Sequence, residues 1–311
     1  MTNVSDTREY TLALRPRTDD SQVGKILKGS ISMHVHFDPE PDSPKRLNAL
    51  ETALTAREMG LRGIVLKNHS YPTPPLASLI SELVPGIAVF GSICLDYEVG
   101  GLNAHAVEAA AKLGAKVVWM PVFSARNSRA LVTRLLGIDV KGDGISVLGE
   151  DGKIVPEVVD ILKIIKAYDM VLATGHISRR EILALVDKAK QQGIKKMIVT
   201  HVMSSFLSES ILKPEEREML AKEGVFMEHT AWEISPAGGR VNPVDTAAAI
   251  EKEGPSNCIM SSDLAQIGNP SVAEGMRLFI SSMLSCGLSQ KDITYMVKVN
   301  PAQLLGLKPE A

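Results

Sequence analysis

The chain of 311 residues has three cysteines, Cys94, Cys258 and Cys286, far apart and with no CxxC pair. That excludes a disulfide framework and a cysteine-based zinc finger, and it fits a reducing compartment such as the cytoplasm. Aromatic residues make up only 4%, so a large aromatic pocket is not expected. No sign of charge dominates: 34 Lys plus Arg against 36 Asp plus Glu gives a net charge of −2. Nothing in that balance points to nucleic acid or an anionic membrane surface as partner. No apolar run reaches the roughly 18 residues of a membrane span. The opening stretch, MTNVSDTREYTLALRPRTDD, lacks a signal-peptide core, which favours a cytoplasmic protein. Histidine is also scarce, at seven, yet most of the seven end an apolar run.

Residues 1–29 are polar and read as an arm or helical lead-in. From Ser30 a unit recurs, a short β-branched run followed by a helical run and a glycine. The expected strands are Ser30–His36, Leu61–Lys67, Ile87–Cys94, Ala115–Val122, Met170–Gly175, Lys195–Thr200, Val225–His229 and Asn257–Ser262. Leu47, Leu50, Ala53, Leu54 and Met59 show the three-and-four spacing of the intervening helices. Strands alternating with helices imply parallel pairing, and eight such units in roughly 250 residues predict a closed (β/α)8 TIM barrel. Residues 30–311 are therefore read as one barrel. It carries a β-hairpin insertion after the fourth strand, about 124–155, around a GEDG turn. It ends in a short helical tail, about 288–311, expected on the barrel exterior.

In such a barrel the chemistry lies at the C-terminal ends of the strands. The first strand ends in MHVHFD, where His34 and His36 are two apart and share a face. The fifth ends in TGHIS, with His176 at its tip, the sixth in VTHV, with His201, and the eighth in SSDL, with Asp263. Converging neutral imidazoles with a carboxylate can bind a divalent metal ion, and the carboxylate can also move a proton. On the second strand Lys67 follows GIVL, an unusual setting for a solvated lysine, and His69 shares its face. Lys67 can meet an anionic substrate or, carboxylated, bridge two ions. On the seventh strand Glu228 and His229 alternate, so only one faces the mouth. His105 falls in a helical run. Arg126, Asn127, Arg179 and Arg240 are candidates for a substrate carboxylate, because Arg forms bidentate pairs. Tyr71, Phe206 and Trp232 are candidates for an apolar wall.

Taken together, His34-Val35-His36, His176, His201 and Asp263, each ending its own strand in order, resemble the amidohydrolase superfamily of metal-dependent hydrolases. The resemblance spans Ser30 to Leu307. GGLNAHAVEAAAKLGAKVVWMPV, LATGHIS, SSDLAQ and NPAQLLGL look like a little-characterised bacterial branch of it. The resemblance implies that His34, His36 and Asp263 hold one ion. It implies that His176 and His201 hold a second, or that one of them contacts substrate. It also implies that Asp263 shuttles the proton of the attacking water. Zn2+ is the expected cofactor, one or two ions per chain, with Mn2+, Fe2+ and Ni2+ also compatible. Two-metal members often have a carboxylated lysine or Glu ending the fourth strand. Here that strand reads KVVWMPVFSARN and has neither, so Lys67 is the substitute bridge. Adenosine-deaminase-like members carry Glu three residues after the fifth-strand histidine, where this chain has Arg179.

The implied reaction is hydrolysis of a C–N bond in an amide, lactam or imide of a small, carboxylate-bearing metabolite, with catalytic roles for Asp263, His201 and Lys67. His69, Arg126, Arg179, His229 and Arg240 are the expected substrate contacts. The alternatives are a lactone or phosphoester hydrolase, a decarboxylase or hydratase on the same site, or a non-catalytic metal- or ligand-binding barrel. A seven-stranded polymerase-and-histidinol-phosphatase barrel is the rival fold. The partners expected are a small molecule and further copies of the chain, as a dimer or higher homo-oligomer.

Overall fold

The computed structural model describes residues 20–41, 43–137, 142–204 and 211–308. Most of the expected arm, residues 1–19, lies outside them. So do Phe206 and the last three residues of the tail. The strands are β1 Ile31–Val35, β2 Gly63–Leu66, β3 Ala88–Phe90, β4 Ser92–Cys94, β5 Val117–Trp119, β6 Val171–Ala173, β7 Met197–Val199, β8 Phe226–Thr230 and β9 Cys258–Ser261. Every pairing between them is parallel, in two sheets ordered β1-β2-β3 and β4-β5-β6-β7-β8-β9. The expected third strand appears as β3 and β4, so the count agrees with eight rather than seven.

The interruption has a local cause. A Cβ added at Gly91 would lie 2.4 Å from Pro74 Cα and 2.6 Å from Pro74 N. Pro74 opens the helix Pro74–Leu83, which enters against the strand at that point. The Ser92 backbone then bonds to the incoming loop, and only its side chain reaches β2, with Oγ donating to the Leu66 carbonyl (2.7 Å). The Ser92 N–H donates to Thr73 Oγ1 (2.8 Å) and its carbonyl accepts from Thr73 N–H (2.9 Å).

At the other seam, β1 and β9 share no regular ladder. A single bridge joins Val35 to Leu264. The N–H of Asp263 donates to the His34 carbonyl (2.9 Å), and that of His36 to the Leu264 carbonyl (3.3 Å). Buried serines complete the junction. Ser262 N–H donates to Ser32 Oγ (3.0 Å), and Ser262 Oγ donates to the His34 carbonyl (2.8 Å). Strand order therefore runs round the barrel, with side chains standing in for the ladder where first and last strands meet.

Val65, Trp119, Val171, Ala173, Ile198 and Ile259 pack together inside the barrel, whereas Ile64, Leu66, Val118, Leu172 and Met260 pack outward against the helices. Burial of both faces explains the unbroken apolar runs of these strands. Two expectations change. The tail forms helices Gln290–Thr294 and Asn300–Leu305, but Ala302, Leu304 and Leu305 join the inward cluster rather than the exterior. They cap the barrel end away from the strand tips, and Asn300 Nδ2 donates to the Cys258 carbonyl (2.7 Å).

The insertion is not a regular hairpin. It contains a helix, Arg129–Leu136, and a single antiparallel bridge between Leu148 and Ile154. Gly149 N–H donates to the Lys153 carbonyl (2.9 Å) and Val155 N–H to the Val147 carbonyl (3.1 Å) across the turn, but farther out Val147 N–H donates to Glu181 Oε1 (2.9 Å) and Ile145 N–H to the Ser124 carbonyl (2.7 Å). Within the lead-in, Asp20–Leu27 is a helix with Val23, Ile26 and Leu27 buried.

Because a side chain at position 91 must displace backbone at Pro74, Gly91→Ala is expected to cost about 1–3 kcal/mol, the usual range for overpacking. Guanidinium unfolding of the two proteins measures it, and equal midpoints would show that the helix gives way freely.

Candidate metal centre

The strand tips bring the predicted donors together at one end of the barrel. His34 lies on β1, where the register against β2 shifts between Ser32 and Val35, and His36 follows that strand. Asp263 follows β9 with a left-handed backbone, φ 51°, and His201 follows β7 with φ 30°. His176 follows Gly175, whose φ is 59° and whose added Cβ would lie 2.3 Å from the Met120 carbonyl oxygen. Only glycine lets the chain pass β5 so closely and deliver His176 to the mouth.

Asp263 Oδ1 is 3.1 Å from His34 Nε2 and 3.2 Å from His36 Nε2, and these three groups form a compact donor cluster. His176 Nε2 and His201 Nε2 face each other at 2.9 Å. The His34 and His201 rings are stacked with centroids 6.2 Å apart, so the two sets adjoin. Lys67 is buried among them, with Nζ 3.0 Å from His34 Nε2 and 4.9 Å above the Trp119 ring. On the other side of the His34 ring, Nδ1 is 3.2 Å from Glu228 Oε2.

These contacts define proton positions. A carboxylate accepts from Nδ1–H and an ammonium donates to Nε2, so His34 presents a lone pair at Nε2. That lone pair and the Asp263 oxygen are then two acceptors about 3 Å apart. Lys67 or a proton on Asp263 satisfies them in the metal-free protein, and a divalent ion is what a cluster of two imidazoles and a carboxylate can bind.

Burial lowers the pKa of all four histidines. His34 and His36 fall well below the usual value, His36 also through the charges of Lys67 and Lys45. His176 falls likewise, by burial and then His201, and burial brings His201 to about 4 despite the pull of Glu228. All four are neutral at neutral pH, as metal ligation requires. Burial pushes the carboxyls of Asp263 and Glu228 up, against the nearby histidines and Lys67.

A second polar cluster flanks the first. His69 Nδ1 bonds to Asp96 Oδ2 (2.9 Å), and its ring stacks between His36 and Phe123, with centroids at 5.2 and 3.7 Å. Asp96 Oδ1 accepts from the backbone N–H of Val122 (2.9 Å) and Ser124 (2.8 Å). Burial opposes its charge, but the bonds from His69 and these amides hold its pKa below the usual value. Glu40 Oε1 accepts from His69 N–H (2.8 Å), while Oε2 is 2.7 Å from Lys45 Nζ.

Asp96, Glu40, Glu228 as the inward member of its pair, and Trp119 beside His34 were all missed or left open from sequence. Asp96 ends β4 just as the histidines end theirs, so the same rule applied to acidic residues would have found it. Glu40 lies within DPEPD, where nothing in the sequence marks one acid out from its neighbours.

Other candidates lie elsewhere. His229 points out of the barrel to Glu253 (2.8 Å), which also pairs with Arg217 (2.7 Å), because β8 turns Glu228 inward. Arg179 opens a helix and pairs with Glu216, its Nε 2.6 Å from Oε2. Arg240 donates to the Pro236 carbonyl (3.1 Å) and is exposed, as is Arg126, and neither touches the histidine cluster. Asn127 Nδ2 reaches the cluster's edge, donating to the His176 carbonyl (3.0 Å). Tyr71 bonds to the Pro39 carbonyl (3.2 Å), and Trp232 is partly buried against the core. His105 is exposed on the helix Ala104–Lys112. Among the described residues no helix is long and apolar enough to cross a membrane.

The parallel barrel shares its fold with solved enzymes, an amidohydrolase among them. Solved structures agree across nearly the whole chain. A probable dipeptidase, PvdM, from Pseudomonas aeruginosa matches with TM-score 0.64 and 10% identity, over 92% of this chain and 97% of that one. An amidohydrolase from Pseudomonas aeruginosa matches with TM-score 0.60 and 12% identity, over 93% and 98%. The 2,6-dihydroxybenzoate decarboxylase from Rhizobium matches with TM-score 0.53 and 11% identity, over 90% and 99%. None of the curated proteins matches by sequence. Residues 29–228 match the family of unknown function DUF6282, and the chain belongs to that family.

The buried neutral histidines predict a pH response of the metal-free protein. Each binds a proton more readily unfolded, near pH 6.5, than folded, so acidification favours unfolding by up to about 1.4 kcal/mol per pH unit per histidine. Asp263, Glu228 and Glu233 have raised pKa values and oppose this, because the folded state holds their protons as pH rises; burial brings Glu233 to about 8. Four histidines outweigh three carboxyls, so the guanidinium midpoint is expected to drop between about pH 6.5 and pH 5. A level or rising midpoint would show that the buried carboxyls offset the histidines, or that the imidazoles are charged in the fold.

Proposed function

We propose that this chain is a metal-dependent hydrolase that cleaves a C–N bond, in an amide, lactam or imide, of a small carboxylate-bearing metabolite. One observation carries the reading: His34, His36 and Asp263 converge from the two strands that meet at the seam, beside the facing pair His176 and His201. The first three would hold one ion. His176 and His201 would hold a second, or His201 would face the substrate carbonyl. Zn2+ suits this nitrogen and oxygen set, and Mn2+, Fe2+ and Ni2+ also suit it. A bound divalent ion supplies a water acidified to a pKa near 7 and a Lewis acid for the carbonyl.

The chain's own groups do the rest. Asp263 takes the proton of the attacking water and returns it to the departing nitrogen. Neutral His201 orients the carbonyl oxygen. Lys67, inside the barrel mouth, would meet the substrate carboxylate or, as a free amine carboxylated by carbon dioxide with loss of a proton, would help to hold two ions. His69, aligned by Asp96, presents its ring edge to the same mouth as a substrate contact. Walls of Trp119 and Phe123 exclude water from these groups. Cytoplasmic residence, suggested by the scarce and unpaired cysteines, and assembly into a homo-oligomer belong to the same proposal.

The likeness to a decarboxylase keeps one second reading in view, loss of carbon dioxide from a carboxylate on the same donors. Purified protein should carry at least one divalent ion per chain by elemental analysis. A panel of amides, lactams, imides, lactones and aryl carboxylates, with products identified, then separates C–N hydrolysis from ester hydrolysis and decarboxylation. Asp263→Asn should lower turnover by about 10²–10⁴-fold, the usual worth of a positioned acid–base group. Full activity in that variant would remove Asp263 as the proton carrier.

A further inference from the structure

Glu228 is fully buried on β8, between His34 of β1 and the turn after β7. One oxygen, Oε2, reaches both histidine sets. It lies 3.2 Å from His34 Nδ1 and accepts from the backbone N–H of His201 at 3.3 Å. The Glu228 carbonyl also accepts from Val202 N–H (3.0 Å), so the residue grips the 201–202 turn at two points. That turn needs a grip. His201 has φ 30°, a left-handed backbone that a non-glycine residue adopts only when its surroundings hold it there.

We propose that Glu228 is the positioning residue that aligns both halves of the metal centre. By accepting Nδ1–H it holds His34 in the tautomer whose Nε2 lone pair faces Asp263 and His36. By holding the His201 backbone it aims His201 Nε2 at His176. A carboxylate behind a ligating histidine is a common way to fix ring orientation and raise ligand basicity. Here a single oxygen serves two histidines from non-adjacent strands. The neighbouring His229, turned outward to Glu253, anchors β8 on its other face and keeps Glu228 inward. The inference rests on the reading of these histidines as metal ligands, and its test separates the two.

The test uses full-length wild type, Glu228→Met, which keeps the volume but cannot accept strongly, and Glu228→Gln, which keeps one acceptor oxygen. Imidazole 15N shifts of the metal-free proteins report the His34 tautomer, and chelator competition reports Zn2+ affinity. Wild type is expected to show His34 protonated at Nδ1. Glu228→Met should lose that preference and bind Zn2+ about 10–100-fold more weakly, with Glu228→Gln between the two. Merely structural packing would alter the melting temperature and leave tautomer and affinity in place. Wild-type His34 protonated at Nε2 overturns the proposal without any variant, as does equal Zn2+ affinity and tautomer in all three. Failure of wild type to bind Zn2+ overturns the metal-centre reading instead, and the tautomer series then decides the role of Glu228 alone.

Discussion

The contact between Asp263 and the two histidines at the end of β1, His34 and His36, exists only because the first and last strands of the barrel meet. Asp263 and His34 are more than two hundred residues apart in the chain. What joins them is the hydrogen bond from Asp263 N–H to the His34 carbonyl, with Ser32 and Ser262 filling the rest of the seam. These serines sit where apolar residues would pack but could not bond. Their hydroxyls satisfy backbone groups that the missing ladder leaves unpaired, which a buried seam demands. The seam and the donor cluster are thus one construction: the bonds that bring β9 to β1 also set Asp263 in its left-handed turn.

The rest of the mouth is organised in depth behind that contact. Trp119 and Lys67 form its floor, the former occupying the strand end where the resemblance led one to look for a bridging acid. Asp96 ties His69 to the loop after β5 by accepting from two of its amides. Glu40 and Lys45 hold the loop after β1 beside it. His34 and His69 are each oriented by a buried carboxylate, Glu228 and Asp96, which limits the reorganisation a bound cation would require.

The strands were legible because their apolar runs, bounded by glycines, carry the signature of sheets buried on both faces. His34, His36, His176, His201 and Asp263 were legible because a barrel confines chemistry to strand tips, and the tips can be read in order. The arginines were misplaced for the opposite reason. Arg179 lies three residues after His176, yet it has already entered a helix whose neighbour offers Glu216, and a loop position alone says nothing of which way a long side chain turns. The hairpin formed only next to its turn, where Leu148 pairs with Ile154. Its alternating residues were present, but Glu181 and the Ser124 carbonyl compete for the N–H groups that a paired strand would have used.

By itself the sequence determined the order of strands and helices and the placement of the donor residues at strand ends. Those follow from local periodicity and composition, which neighbouring residues suffice to express. Tertiary structure decided which of Glu228 and His229 faces inward, which acids stand behind the histidines, and that the C-terminal helix closes the far end of the barrel. These depend on how the sheet curves and where the seam falls. Burial and hydrogen-bond satisfaction act there between residues far apart in the chain.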